Sequence, residues 1–220
     1  MRAEAYNAAD IEVLEGLDPV RKRPAMYIGS TDGEQGLHHL VKEILDNGID
    51  EAMNGYADTI DLTLHADGES VTIRDNGRGI PVDKHPKFKK PALEIIFTTL
   101  HSGGKFSDRN YFSAGGLHGV GASVVNALSE ELCVTVWRDG YEWRQSFSRG
   151  KPCRALQRGR RTKAHGTEVF FRPDGEIFKT RRFSSERLES ILQEKAFLNR
   201  GLTINFMDEC GGKKQRFCYG

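Results

Sequence analysis

The chain has 220 residues, of which 38% are hydrophobic and 29% charged, and its formal net charge is +1. That length can bury roughly 70% of the unfolded surface, while the near-neutral balance leaves no global field to recruit nucleic acid or a membrane. No apolar run reaches the about 18 residues of a membrane span, no signal pattern opens the chain, and Cys133, Cys153, Cys210 and Cys218 form no C-x-x-C pair, which argues against zinc and a disulfide framework. A reducing, cytosolic protein is expected. No repeat or low-complexity linker splits it, so one domain is the simplest organisation.

Residues 1–10 are polar and alanine-rich, an arm whose anchors would be Tyr6 and, just beyond, Ile11. L-D-P-V-R-K-R-P-A-M-Y-I-G, 17 to 29, suggests a short helix entry and then an extended segment. Next comes an amphipathic helix. Leu37, Leu40, Val41, Ile44 and Gly48 recur at helical period on the core side. His39, Glu43, Asn47 and Glu51 stand four apart on the neighbouring strip, with Asp50 alongside. A carboxylate able to act as a base thus follows a histidine by one turn and precedes an amide oxygen by another.

Ile60, Leu62 and Leu64 alternate with polar residues, a half-buried strand. After the Asp67-Gly68 turn signal, the return strand runs through Val71 and Ile73, and the next position on the apolar phase is Asp75. An acid there is informative, because a buried carboxylate needs partners. The glycines of D-N-G-R-G-I-P, directly after it, allow a ligand close to the backbone. Such an acid can accept a hydrogen bond from an amine like that of adenine.

A basic loop, 82 to 90, precedes a helix from Pro91 to His101 whose inner side is Leu93, Ile96, Phe97 and Leu100. Ser102 to Gly121 holds six glycines and few apolar anchors, the composition of a lid. A helix from Ala122 to Ser129 follows, so glycine-loop amides at its start would form an anion site, with Lys105 adding charge. Neither a Walker loop nor a Rossmann fingerprint fits G-G-L-H-G-V-G-A-S. The remainder is strand-rich: Leu132 to Val136, Tyr141 to Phe147 and Gly166 to Phe171. A basic loop is expected over 158–165; with no interleaved aromatics it reads as a solvated loop rather than a nucleic-acid contact. The Thr167 hydroxyl can reach Asp75 through water. Ser184 or Ser185 caps a helix to Leu198, and strands at Leu202–Met207 and Gln215–Tyr219 close the chain, which stops as a piece of a longer protein would.

G-L-D-P-V-R-K-R-P, E-I-L-D-N-G-I-D-E-A, D-N-G-R-G-I-P, L-H-S-G-G-K-F and G-G-L-H-G-V-G-A-S-V-V-N-A-L-S together resemble the ATPase domain of the bacterial type IIA topoisomerase B subunits, of DNA gyrase and topoisomerase IV, within the GHKL ATPases. The resemblance implies an α+β fold, an eight-stranded mixed, mostly antiparallel sheet with helices on one face. It implies an arm over 1–15 and an ATP-binding domain over 16–220, the transducer and DNA-cleavage domains lying elsewhere. Its motifs make Glu43 the general base with His39 orienting it, Asn47 the holder of Mg²⁺ bridging the ATP phosphates, and Asp50 a support. Asp75 accepts from adenine and Thr167 shares its water. Gly115, Gly116, Leu117, His118, Gly119, Val120 and Gly121 wrap the phosphates with Lys105; Tyr111 and Tyr6 reach the nucleotide. Arg78, Pro81 and Arg138 line the mouth, where aminocoumarin inhibitors meet Asn47, Asp75 and Thr167. The implied partners are ATP, a second copy joined through the arm, and, through other domains, an A-type subunit and DNA; no membrane. Ala25 and Gly48 depart from the usual glycine and alanine or serine, and Lys87 to Lys90 is more basic than usual. A lysine that the family's second domain supplies to the γ-phosphate is missing, so slow turnover is expected. A sensor that only binds nucleotide is one competing class, and Glu43 speaks against it; a nucleic-acid-binding domain acting through Arg158 to Lys163, with salt-dependent DNA affinity without nucleotide, is the other and carries little weight.

Overall fold

The computed structural model describes residues 14–102 and 120–220. Expectations for Tyr6, Ile11, Lys105, Tyr111, Gly115, Gly116, Leu117, His118 and Gly119 lie outside those residues.

Among the described residues one sheet forms the frame. In chain order, β1 is Thr59–Leu64, β2 Val71–Asp75, β3 Ser129–Arg138, β4 Tyr141–Ser148, β5 Lys151–Pro152, β6 Gln157–Arg161, β7 Gly166–Pro173, β8 Thr203–Asp208 and β9 Lys213–Cys218. The order across the sheet is β5-β4-β3-β7-β2-β1-β8-β9, with β6 also paired to β4. The β1–β8 pair is parallel and the other ladders are antiparallel. This is the mixed, mostly antiparallel sheet expected. It has one strand more than the eight anticipated, since β5 contributes only two residues.

Period-two alternation fixes which face is covered. In β1 and β2, Ile60, Leu62, Leu64, Val71 and Ile73 are buried, whereas Asp61, Thr63, Thr72 and Arg74 on the other face keep exposure. The helices cover the apolar face: α1 (Asp18–Lys22), α2 (Ala25–Ile28), α3 (Glu34–Met53), α4 (Ala92–Thr98), α5 (Gly121–Ala127) and α6 (Ser185–Leu198). The expected stripe of α3 is buried throughout, with Leu37, Leu40 and Val41 at 0% exposure. Each such side chain contributes about 1.5–3 kcal/mol relative to an exposed one. The helix ends where Gly55 takes φ +79° and its N–H donates to Ala52 O at 2.9 Å. Ser184 caps α6, its Oγ accepting from the Arg187 N–H at 3.2 Å.

Four boundaries differ from the sequence expectation. Residues 25–28 form α2 rather than an extended segment, because Pro24 itself adopts helical φ −61°, ψ −32°. α4 stops at Thr98, since Thr99 turns to φ −130°, ψ 127°. Its fully buried side is Leu93, Glu94, Ile95 and Phe97, while Ile96 and Leu100 are only partly covered. Helix α5 ends at Ala127, and Ser129 already opens β3, its N-terminal pairing being with Pro173. The basic stretch from 158 includes a strand: Arg158 and Arg161 pair with Trp143 and Tyr141 along the β4 edge.

Candidate functional site

The expected polar strip of α3 faces the start of α5. His39 Nε2 lies 3.0 Å from Glu43 Oε1, one helical turn apart as the i,i+4 spacing requires. Both side chains keep about a third of their surface exposed, so they line an opening rather than the core. Gly121, the first residue of α5, stands directly against Glu43: a Cβ there would overlap Glu43 Oε2. A side chain there would push the Glu43 carboxylate out of its present position. Asn47, the next residue of the strip, is half-buried, and Asp50 is fully buried.

Asp75 ends β2 at the floor of this region. The sheet register sets it opposite Thr167 on β7 and Ile60 on β1. Its Oδ1 accepts from the Gly77 N–H at 2.8 Å. Protein atoms surround the carboxyl, yet the residue keeps some surface, the environment of a pocket floor. Burial, reinforced by the charge of Glu51, pushes the carboxyl up to about 6 against the stabilising Gly77 and Thr167 backbone groups. Gly48 of α3 lies on top of it; a Cβ there would stand 3.3 Å from Asp75 Cβ and 3.0 Å from Ile60 Cδ1. The helix-propensity cost of Gly48 therefore accompanies a close packing of α3 on the acid. Thr167 Oγ1 accepts from the Ile80 N–H at 3.1 Å, leaving its own hydroxyl proton to donate beside Asp75.

The D-N-G-R-G segment is clamped to α3 by a residue that sequence reading left without a role. Glu51 takes a fork from Arg78, with Oε2 accepting from Nε at 3.1 Å and Oε1 from Nη2 at 2.7 Å. Oε2 also accepts from the Arg78 N–H at 2.9 Å. The guanidinium stacks 3.7 Å over Tyr56. His165 Nδ1 lies 2.9 Å from Gly77 O, pinning the same loop from β7's approach. Gly166, φ +126°, passes so close that a Cβ would collide with Asp75 O. Glu51 continued the four-residue spacing of His39, Glu43 and Asn47, so its signal was present; His165 carried none.

Arg138 Nη1 donates to Gly79 O at 2.7 Å, which brings the end of β3 to this loop. Arg78 and Arg138 line an open cleft of about 570 Å³ with Gly140, Thr162, Lys163 and His165. Pro81, two residues after Gly79, is exposed, and its carbonyl accepts from the Leu93 N–H at 3.0 Å. The described members of the expected site thus form two connected groups. Glu43, His39, Asn47, Asp50 and Val120–Gly121 lie along α3 and the α5 start. Asp75, Thr167, Arg78, Pro81 and Arg138 lie around the sheet end and its mouth.

Among the described residues no three His, Cys, Asp or Glu side chains converge as a metal cage. Asn47 is the one strip residue offering a neutral oxygen, the donor set of a Mg²⁺ ion that keeps most ligands from substrate and water.

The sheet thus carries an acid, Asp75, at one strand end beneath a helix that bears the His39–Glu43 pair and the Asn47 amide. The model of the histidine kinase-, DNA gyrase B- and HSP90-like ATPases matches residues 32–177, and the chain belongs to that family. The DNA gyrase B protein of Thermotoga maritima is 56% identical over 214 residues, covering 97% of this chain and 33% of that protein. The DNA topoisomerase 4 B protein of Caulobacter vibrioides is 58% identical over 203 residues, 91% of this chain and 29% of that protein. The 43K ATPase domain of Thermus thermophilus gyrase B, solved with an aminocoumarin, superposes with a TM-score of 0.82 at 48% identity, over 92% of this chain and 51% of that one. The chain therefore spans about a third of the length of these curated relatives.

Proposed function

We propose that this chain is the ATP-binding and ATP-hydrolysing part of a type IIA DNA topoisomerase, in its B-type component of the gyrase or topoisomerase IV kind. Residues 16–220 form the ATP-binding unit and residues 1–15 the arm. The observation that carries the reading is the paired geometry of Asp75 and Glu43, an acid at the sheet end and a histidine-held acid on the helix above it. In this reading Asp75 accepts from the adenine amino group and Thr167 donates to the water they share. Glu43 takes the proton of the attacking water, and His39 holds its carboxylate in the required rotamer. Asn47 supplies an oxygen to Mg²⁺, which when bound neutralises charge on the phosphate oxygens. Asp50 supports α3 beneath Asn47. Gly115 to Gly121, with Lys105, wrap the phosphates, while Tyr111 and Tyr6 contact the nucleotide. Arg78, Pro81 and Arg138 border the mouth available to aminocoumarins.

The output is dimerisation. ATP draws two copies together through their arms, closing a clamp that passes DNA in concert with an A-type subunit through domains beyond this chain. The compartment is the bacterial cytoplasm; no helix among the described residues is long and apolar enough to cross a membrane.

Glu43→Gln tests the catalytic half. Loss of a general base costs about 10²–10⁴ in rate. We expect hydrolysis to fall by that factor in the full-length protein while ATP still binds. Hydrolysis within a factor of a few of wild type would remove Glu43 from the mechanism.

A further inference from the structure

Most of the chain's cations have no part in that site. Two segments, 84–90 and 151–165, hold ten of its 32 Lys and Arg and no Asp or Glu, so the other 198 residues carry a net charge of −9 against the overall +1. All ten cations are exposed. Among the described residues only two of them meet an acid: Lys90 lies 3.2 Å from Glu94, and Arg160 lies 3.6 Å from Glu142.

The fold joins the two segments. The first is a closed loop: Lys84 bridges to Pro91, the His85 N–H donates to Lys90 O at 2.9 Å, and the Lys89 N–H donates to His85 O at 2.9 Å. It presents Phe88, 55% exposed, among its lysines. The second segment runs as β5 and β6 along the outer edge of β4. Between them stands buried Gln145, whose Nε2 donates to Glu94 Oε2 at 2.8 Å and to Arg154 O at 3.1 Å. Since Glu94 also holds Lys90, a single relay ties the loop to the edge strand. Charged side chains on a sheet edge protect it from unwanted pairing. That explains part of β6 but not the same-sign loop at 84–90, which lies on no strand.

We infer that this joined face docks the phosphate backbone of duplex DNA. The inference rests on the proposed reading that the complete protein acts on DNA, and adds a contact made by this chain itself. Exposed cations on two segments joined by one relay, eight of the ten without an acid at ion-pair distance among the described residues, match a polyanion by charge, without a pocket that would select a single nucleotide. Exposed guanidinium groups on β6, with Arg158 stacked 4.7 Å from the Tyr141 ring centre, are held ready for phosphate oxygens. Recognition of this kind is independent of sequence and steeply salt-dependent.

The test is fluorescence anisotropy of a labelled duplex with the nucleotide-free chain at about 50 and about 200 mM salt, a range over which phosphate contacts lose affinity steeply. Two double variants, Lys87→Glu with Lys89→Glu and Arg154→Glu with Arg158→Glu, are compared with Lys214→Glu with Arg216→Glu on β9 at the opposite sheet edge. Each ridge pair should lower affinity at least about tenfold and reduce the salt slope by about 2, leaving the β9 pair at wild type. ATP-analogue affinity should be unchanged in the ridge variants, which separates this outcome from failure of the nucleotide site. No duplex binding at the lower salt, or equal losses in all three pairs, would overturn the assignment. Displacement of DNA by polyglutamate of equal charge would transfer the surface to an acidic protein partner and overturn it as well.

Discussion

Asp75 is a strand residue placed where the pattern calls for an apolar side chain, and the fold keeps it there at a cost. Its carboxyl is raised to about 6 from an ordinary 3.8, first by burial and then by Glu51. An acid with a raised folded-state value binds more protons folded than unfolded. It therefore favours the folded state below about 4, and that contribution is lost as pH rises to about 6. The difference is worth about 3 kcal/mol. Asp75→Asn should remove this pH dependence, so that thermal unfolding between about pH 4 and 6 becomes flatter and the variant is more stable near neutrality. Unchanged curvature in that window would place the titration on another group. Adenine recognition needs the ionised carboxylate in this account, so wild-type nucleotide affinity should fall about tenfold per unit below pH 6. Gly48 belongs to the same scale. Glycine weakens a helix relative to alanine, and here a Cβ would press on Asp75 and Ile60, so the two effects oppose each other.

At the scale of elements, α3 was legible because its two faces separate cleanly: Leu37, Leu40, Val41 and Ile44 inside, His39, Glu43 and Asn47 towards the opening. Strands β1, β2 and β7 were legible from alternation. What escaped was set by contacts distant in sequence. Edge strand β6 has five exposed residues, hence no apolar phase to reveal it. The end of α5 depends on Ser129 entering a ladder with β7. The Glu51–Arg78 fork joins residues 27 apart, which spacing alone does not disclose. That fork makes α3 and the D-N-G-R-G loop one unit. Glu51→Ala leaves Arg78 without its carboxylate and the loop amide without its acceptor. With Arg78 one-third exposed, a loss of about 2 kcal/mol is expected in denaturant unfolding, with weaker nucleotide binding. A variant as stable as wild type would mean that the loop is held by the sheet alone.

For the whole molecule, the sheet is the platform, its apolar face covered by helices and one strand end carrying Asp75. The overall charge of +1 concealed a separation of sign, since sequence reading treated each basic run by itself. The chain spans about a third of relatives that are named for acting on DNA. In the proposed reading a lysine of a further domain reaches the γ-phosphate, so this chain alone should bind ATP but turn it over far more slowly than the full-length protein. Equal steady-state rates would contradict this division of labour. The most direct test of the nucleotide site is calorimetric titration of a non-hydrolysable ATP analogue, with and without Mg²⁺, into wild type and Asp75→Asn. The account expects Mg²⁺-dependent binding by wild type and its loss in the folded variant. Equal binding by both proteins would put adenine elsewhere and contradict the site.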